Sequence, residues 1–265
     1  MKMKLKIMRF LIQQIDDFVH DFSYELVNCK AFGRLYYELN GEKLELQYTD
    51  DLEFKNIENP DLWIPVGSVD FVSEYLRKFY PEAAAMALLP LNVPEELFPF
   101  AGRPIANCYN RDDFRTFAAR IPDLWSKRPT IYRKDLQVIK DPFNGPIDYP
   151  YDATDFRGCQ ISPVIDILSE WRVFVFHGMI LDCRNYAGDF FVYPDPETIR
   201  QMVKVYDAAA PVAYTLDVAV TPEGKTVVIE CHRFFSCGLY GFSDITKYPK
   251  MLSQAWFQIK HLRNG

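Results

Sequence analysis

Two acidic residues and a histidine on one candidate hairpin carry the densest chemistry in this sequence. Within residues 213–232, Glu223-Gly224, flanked by Pro222 and Lys225, is a turn signal between two β-rich runs. If Thr221 pairs with Thr226, Asp217 falls opposite Glu230. The strand period of two then puts His232 on the face of Glu230, with Val227, Ile229 and Cys231 on the other, apolar face. Like charges directly opposite destabilise a sheet, so such a pair needs a cation, a shared proton or solvent. Carboxylate oxygens suit Mg²⁺, which keeps several waters and takes the rest of its shell from substrate phosphates. Two readings stay open from spacing alone: a metal site, or a surface hairpin whose acids are solvated.

A second hairpin, residues 170–184, turns at His177-Gly178. Its first strand places Glu170, Arg172, Phe174 and Phe176 on one face and Trp171, Val173 and Val175 on the other. An arginine inside so apolar a strand must find an anion, because an unpaired buried charge is costly. An ion pair with Glu170 or another acid is the commoner use, and a phosphate gripped by both prongs of the guanidinium is the alternative. A third stretch, residues 131–145, supplies Arg133, Lys134 and Lys140 ahead of Asn144-Gly145. Cations before a loop of this kind can close over a ligand, although basic residues near loops are usually solvated. Neither a Walker G-x-x-x-x-G-K-[ST] nor a G-x-G-x-x-G motif occurs, so P-loop and Rossmann nucleotide binding are not supported.

The elements that position these groups can be read coarsely. Apolar alternation suggests strands over 3–12, 23–27, 32–39 and 43–48. Ser68 caps an expected helix over 69–79, whose Val69, Val72, Leu76 and Phe79 recur at helical spacing. A passage dense in proline (Pro81, Pro90, Pro94, Pro99, Pro104) reads as an ordered connection, which puts a domain boundary near Arg103: residues 1–105 form one lobe and 106–265 the other. Beyond it, 112–121 reads as helix and 130–133 as strand. Asp195-Pro196 starts a helix that ends at Ala208, and a last helix runs over 248–262.

Composition narrows the function classes. At 265 residues the chain can bury a core without disulfide or metal staples, and its 49% hydrophobic and 25% charged residues are ordinary globular values. A net charge of −6 argues against a dedicated nucleic-acid binder. Cys29, Cys108, Cys159, Cys183, Cys231 and Cys237 form no C-x-x-C pair and sit mostly beside apolar residues, which points to a reducing cytoplasm. The apolar runs at 7–12 and 83–91 fall short of the ~20 residues that span a bilayer, so no membrane segment is expected.

Taken in order, these stretches resemble the ATP-grasp superfamily, and within it the clade named for two arginines and a lysine. Residues 64–72, then 91–97 with Gly102-Arg103, look like that clade's N-terminal signature and inter-lobe passage. Tyr132-Arg133 through Lys140 to Gly145 resembles the segment with the first arginine and the lysine. Ser162-Pro163-Val164-Ile165 is similar to the hinge lining the adenine pocket, and 170–175 to the strand of the second arginine. Asp217, Glu230 and 238–241 look like the closing strands.

The resemblance implies an α/β (α+β) fold with an N-terminal pre-ATP-grasp-like lobe and two C-terminal α+β subdomains that clasp the nucleotide. It implies a cytoplasmic ligase using ATP and Mg²⁺ to join a carboxylate to an amine through an acyl phosphate, on small-molecule or peptide substrates. Arg133 and Lys140 would then hold phosphates, and Arg172 would contact phosphate or the acyl phosphate, with Arg172 and Lys140 as the catalytic pair. Val164, Ile165 and Glu170 would line the nucleotide, and Asp217, Glu230 and His232 would hold the metal. His232 stands where the clade usually has Asn, and an imidazole favours softer ions such as Mn²⁺ or Zn²⁺. The competing expectation is a nucleotide- or peptide-binding module that keeps the fold without turnover.

Overall fold

The computed structural model describes residues 6–14, 41–88, 93–108, 110, 112–113, 116, 129–132, 159–163, 165–242, 244 and 246–262. The strands expected at 23–27 and 32–39, and most of the helix expected at 112–121, lie outside them. The described residues gather into two compact units. One falls within Met1–Leu88, Pro211–Tyr214 and Arg233–Gly265, the other within Leu89–Ala210 and Thr215–His232.

The first unit is built on a parallel sheet. Strand β1 (Lys6–Gln13) lies between β2 (Glu42–Thr49) and β3 (Ile64–Val66), in the order β2-β1-β3. Phe10, Leu11 and Ile12 are all fully buried, as expected of a central parallel strand covered on both faces. Helix α1 (Val69–Phe79) begins where the sequence indicates: the Ser68 hydroxyl accepts from Phe71 N at 3.1 Å. Gln13 fixes the same corner, its Oε1 accepting from Ser68 N at 2.8 Å.

Pro81 opens a second short helix, α2 (Pro81–Ala87), as proline does at a first helical position where its missing N–H costs nothing. Edge-to-face contacts of Phe54 with Phe71 and Tyr75, and of Tyr75 with Trp256, close the core. Trp256 comes from the last helix of the chain, Tyr248–Ile259.

The second unit holds two antiparallel sheets. One has the order β4-β6-β5, from Ala106–Cys108, Cys159–Pro163 and Pro129–Tyr132. Buried Gln160 ties it to the chain before it, accepting from Val93 N (2.9 Å) and donating to Val93 O (2.8 Å) and Asn107 Oδ1 (2.9 Å).

The other sheet runs β10-β9-β7-β8, from β7 (Ser169–Phe176), β8 (Met179–Gly188), β9 (Ala213–Val220) and β10 (Thr226–Arg233). Between its hairpins lies helix α3 (Pro196–Tyr206), capped by Asp195, whose Oδ2 accepts from Thr198 N at 2.9 Å. Helix α4 (Tyr248–Ile259) belongs to the first unit and buries Met251, Leu252, Ala255, Trp256 and Ile259, a helical stripe. Among the described residues no helix is long and apolar enough to cross a membrane.

Candidate active site on the β7, β9 and β10 strands

Both hairpins form where the turn residues indicate. His177 and Gly178 have φ of 50° and 68°, the left-handed pair that suits the twist of a two-residue loop. In the other hairpin, Gly224 (φ 75°) donates to Thr221 O, and Thr221 N donates to Lys225 O. The turn is therefore one residue tighter than the expected Thr221–Thr226 pairing. At the far end Phe234 N donates to Ala213 O, so the register advances by one residue along the hairpin.

Arg103 grips the outer strand, with NH1 2.8 Å from Val228 O and NH2 3.5 Å from Ile229 O. Successive carbonyls of a regular strand point to opposite edges, so a single guanidinium taking both marks a local kink of β10.

Beyond that kink the ligating groups converge. One donor atom each from Asp217, Glu230 and His232 lie within 4.8 Å of one another. Asp217 is 1% exposed and His232 3%. His232 Nε2 hydrogen-bonds Glu230 Oε1 and stands 3.8 Å from Asp217 Oδ2. The opposite ring nitrogen, Nδ1, is buried with no hydrogen-bond partner among the described residues.

From the neighbouring β7, Arg172 reaches Asp217 with both prongs, Nε to Oδ1 at 2.8 Å and NH2 to Oδ2 at 2.7 Å. The acid expected for Arg172 is thus Asp217, on the adjacent strand β9. Glu170, on the same face of β7, accepts from the Tyr186 hydroxyl at 2.8 Å, and the Tyr186 ring lies under the Arg172 guanidinium at 5.7 Å.

Burial, followed by the charges of Asp217 and Glu170, pushes the Tyr186 hydroxyl far up, so it remains a donor at any physiological pH. Burial likewise pushes the Cys231 thiol well up, with Asp217 and Glu230 adding to it, which leaves no thiolate here.

Of the residues singled out in the sequence, the structure brings together Arg172, Asp217, Glu230 and His232, with Glu170 beside them. Ile165 packs against Ala219, Val227 and Ile229 of the closing hairpin. Arg133, Lys134, Lys140 and Val164 lie outside the described residues. Sequence reasoning missed the roles of Tyr186 and Arg103. Tyr186 is the extra residue of a bulge, for Trp171 pairs with Asn185 and Glu170 with Ala187, and no residue type in the sequence announces it.

Residues 151–250 match the sequence family described as ATP-grasp domain, R2K clade family 2. By that match this chain carries an ATP-grasp domain over residues 151–250. Its mixed α/β fold is that of solved ATP-grasp structures. The D-cycloserine synthetase DcsG superposes with a TM-score of 0.53 at 11% identity, over 94% of this chain and 99% of that one. The D-alanine–D-alanine ligase from Bacillus anthracis complexed with ATP gives 0.53 at 11%, over 97% and 98%. The ATP-grasp ligase PsnB complexed with a minimal precursor gives 0.51 at 10%, over 94% and 99%. At such identities the likeness is one of fold. A comparison with curated proteins gives no match.

Two carboxylates and an imidazole converging in one buried corner of this ATP-grasp domain are a donor set that fits a divalent cation. Within this set Arg172 offsets the charge of Asp217.

Proposed function

We propose that this chain is an ATP- and Mg²⁺-dependent ligase joining a carboxylate to an amine through an acyl phosphate, acting in the cytoplasm on small-molecule or peptide substrates. The observation that carries the reading is the convergence of Arg172, Asp217, Glu230 and His232 on three adjacent strands of an ATP-grasp domain. Asp217, Glu230 and His232 would hold the cation, which supplies neutralisation of phosphate charge. Arg172, fixed by its two bonds to Asp217, presents a positive charge that needs no reorganisation as negative charge develops.

Arg133 and Lys140 are assigned to the ATP phosphates, and Val164, Ile165 and Glu170 to the nucleoside side. The substrate carboxylate attacks the γ-phosphorus, ADP leaves, and the amine then displaces phosphate from the acyl phosphate. No side-chain nucleophile takes part, which agrees with a Cys231 thiol kept protonated by burial.

The test is ADP release with Mg²⁺-ATP across a panel of carboxylates and amines, with hydroxylamine added to trap an acyl phosphate as its hydroxamate. Carboxylate-dependent ADP and a hydroxamate support the ligase; nucleotide binding with neither product removes it. One observation favours a second reading, a nucleotide- or peptide-binding module without turnover. Both oxygens of Asp217 already accept from Arg172, which weakens that carboxylate as a metal ligand. The same assay separates the two readings.

A further inference from the structure

We propose that the β9–β10 site selects a first-row transition divalent cation over Mg²⁺, with His232 as the selecting residue. This rests on the metal site of the ligase reading and replaces its Mg²⁺ with another kind of ion. The donor set is two carboxylate oxygens and one imidazole nitrogen. Mg²⁺ favours an all-oxygen octahedron and holds its waters, whereas imidazole suits the first-row transition ions.

Geometry keeps the imidazole from being bypassed. His232 is 3% exposed and its Nε2 faces both acids, at hydrogen-bond range from Glu230 Oε1 and 3.8 Å from Asp217 Oδ2. A hydrated Mg²⁺ bridging the carboxylates would have to displace a ring that has no solvent to move into. Charge points the same way: Arg172 offsets Asp217, so attraction for a hard cation is reduced and the nitrogen donor weighs more.

The orphaned polar atoms around the ring agree. Ligation requires Nε2 to be without its proton, which the neutral ring then carries on Nδ1. Nδ1 is buried and has no partner among the described residues, and neither has the Thr215 hydroxyl, 0% exposed. Phe234 N bonds Ala213 O at this end of the hairpin; two residues further along each strand, Thr215 comes across from His232. A hydroxyl in that place can accept from Nδ1–H, the outer partner that ligating imidazoles characteristically use.

The experiment is metal competition on the full chain. Mn²⁺ binding is read from the loss of the free Mn²⁺ electron-paramagnetic-resonance signal while Mg²⁺ is titrated in, and Co²⁺ binding from its visible absorption. Displacement of Mn²⁺ should need roughly a tenfold or greater excess of Mg²⁺, and His232→Gln, which offers an amide oxygen at similar reach, should bring the ratio close to one and alter the Co²⁺ band.

Mg²⁺ displacing Mn²⁺ at equal concentration, an unchanged ratio in His232→Gln, or no Mn²⁺ binding at all overturns the proposal. The wild-type ratio decides even if the variant fails to fold. If the preference is absent while Mg²⁺-ATP still raises the unfolding temperature, only this inference falls. If neither metal supports an ATP-dependent rise, the ligase reading falls with it.

Discussion

Arg172→Leu removes the positive half of an ion pair whose side chains are 7% and 1% exposed, and it leaves the buried Asp217 carboxylate without that partner. Taking one partner from a buried pair costs about 3–5 kcal/mol, because the remaining charge keeps its desolvation penalty and loses its compensation. At about 2–4 °C per kcal/mol for a chain of 150–250 residues, that is a fall of roughly 6–20 °C in unfolding temperature.

The double variant Arg172→Leu/Asp217→Leu removes both charges from the same site, so it should lose less than either single variant. A divalent cation should also restore more stability to Arg172→Leu than it adds to wild type, since it replaces the missing charge next to Asp217. The assay is urea or thermal unfolding of the four proteins, with and without millimolar Mn²⁺. Single effects that simply add in the double, or a cation effect no larger in Arg172→Leu than in wild type, would refute the coupling of this pair to the metal corner.

Gly102→Ala should destabilise, because Gly102 holds φ +64° and a Cβ there would lie 2.6 Å from Val227 Cγ1; left-handed backbone alone costs an alanine about 1–2 kcal/mol, read from the urea midpoint. Ser68→Ala should cost about 1 kcal/mol through loss of the bond from Phe71 N, measured the same way on α1. Burial, with Asp182 adding, pushes the Cys183 thiol from 9.0 up to about 11. Its contribution to stability is therefore complete below pH 9 and lost as pH rises towards 11, where the unfolded chain gives up its proton first. Unfolding midpoints from pH 8 to 11 should fall less steeply in Cys183→Ser than in wild type.

How much of this was legible in the sequence divides by the range of the interaction. Ser68 before Val69, Asp195-Pro196, Glu223-Gly224 and the helical stripe after Pro249 act within a few residues, and the structure places caps, turn and helices there. Alternation showed β1 and β2 as strands but is blind to direction, and their pairing is parallel. The proline-dense passage, read as an ordered connection, holds the helix that Pro81 opens, where proline loses no hydrogen bond, and the 3-10 turn Glu95–Phe100.

At the site, burial arithmetic required an acid for Arg172, but only the order β10-β9-β7-β8 makes that acid Asp217. The hold of Arg103 on Val228 O and Ile229 O of β10 comes from more than a hundred residues earlier, and no local pattern in β10 encodes it.

The central claim is that a nucleotide and its cation bind at this hairpin. Its most direct test is thermal unfolding of wild type and Glu230→Ala with ATP titrated in the presence of Mg²⁺ or Mn²⁺. A ligand bound only to the folded chain adds about 2.7 kcal/mol at a hundred times its Kd. A clear upward shift in wild type that is lost in Glu230→Ala is the predicted result. No shift in wild type with either metal, or one that Glu230→Ala keeps in full, would contradict the account.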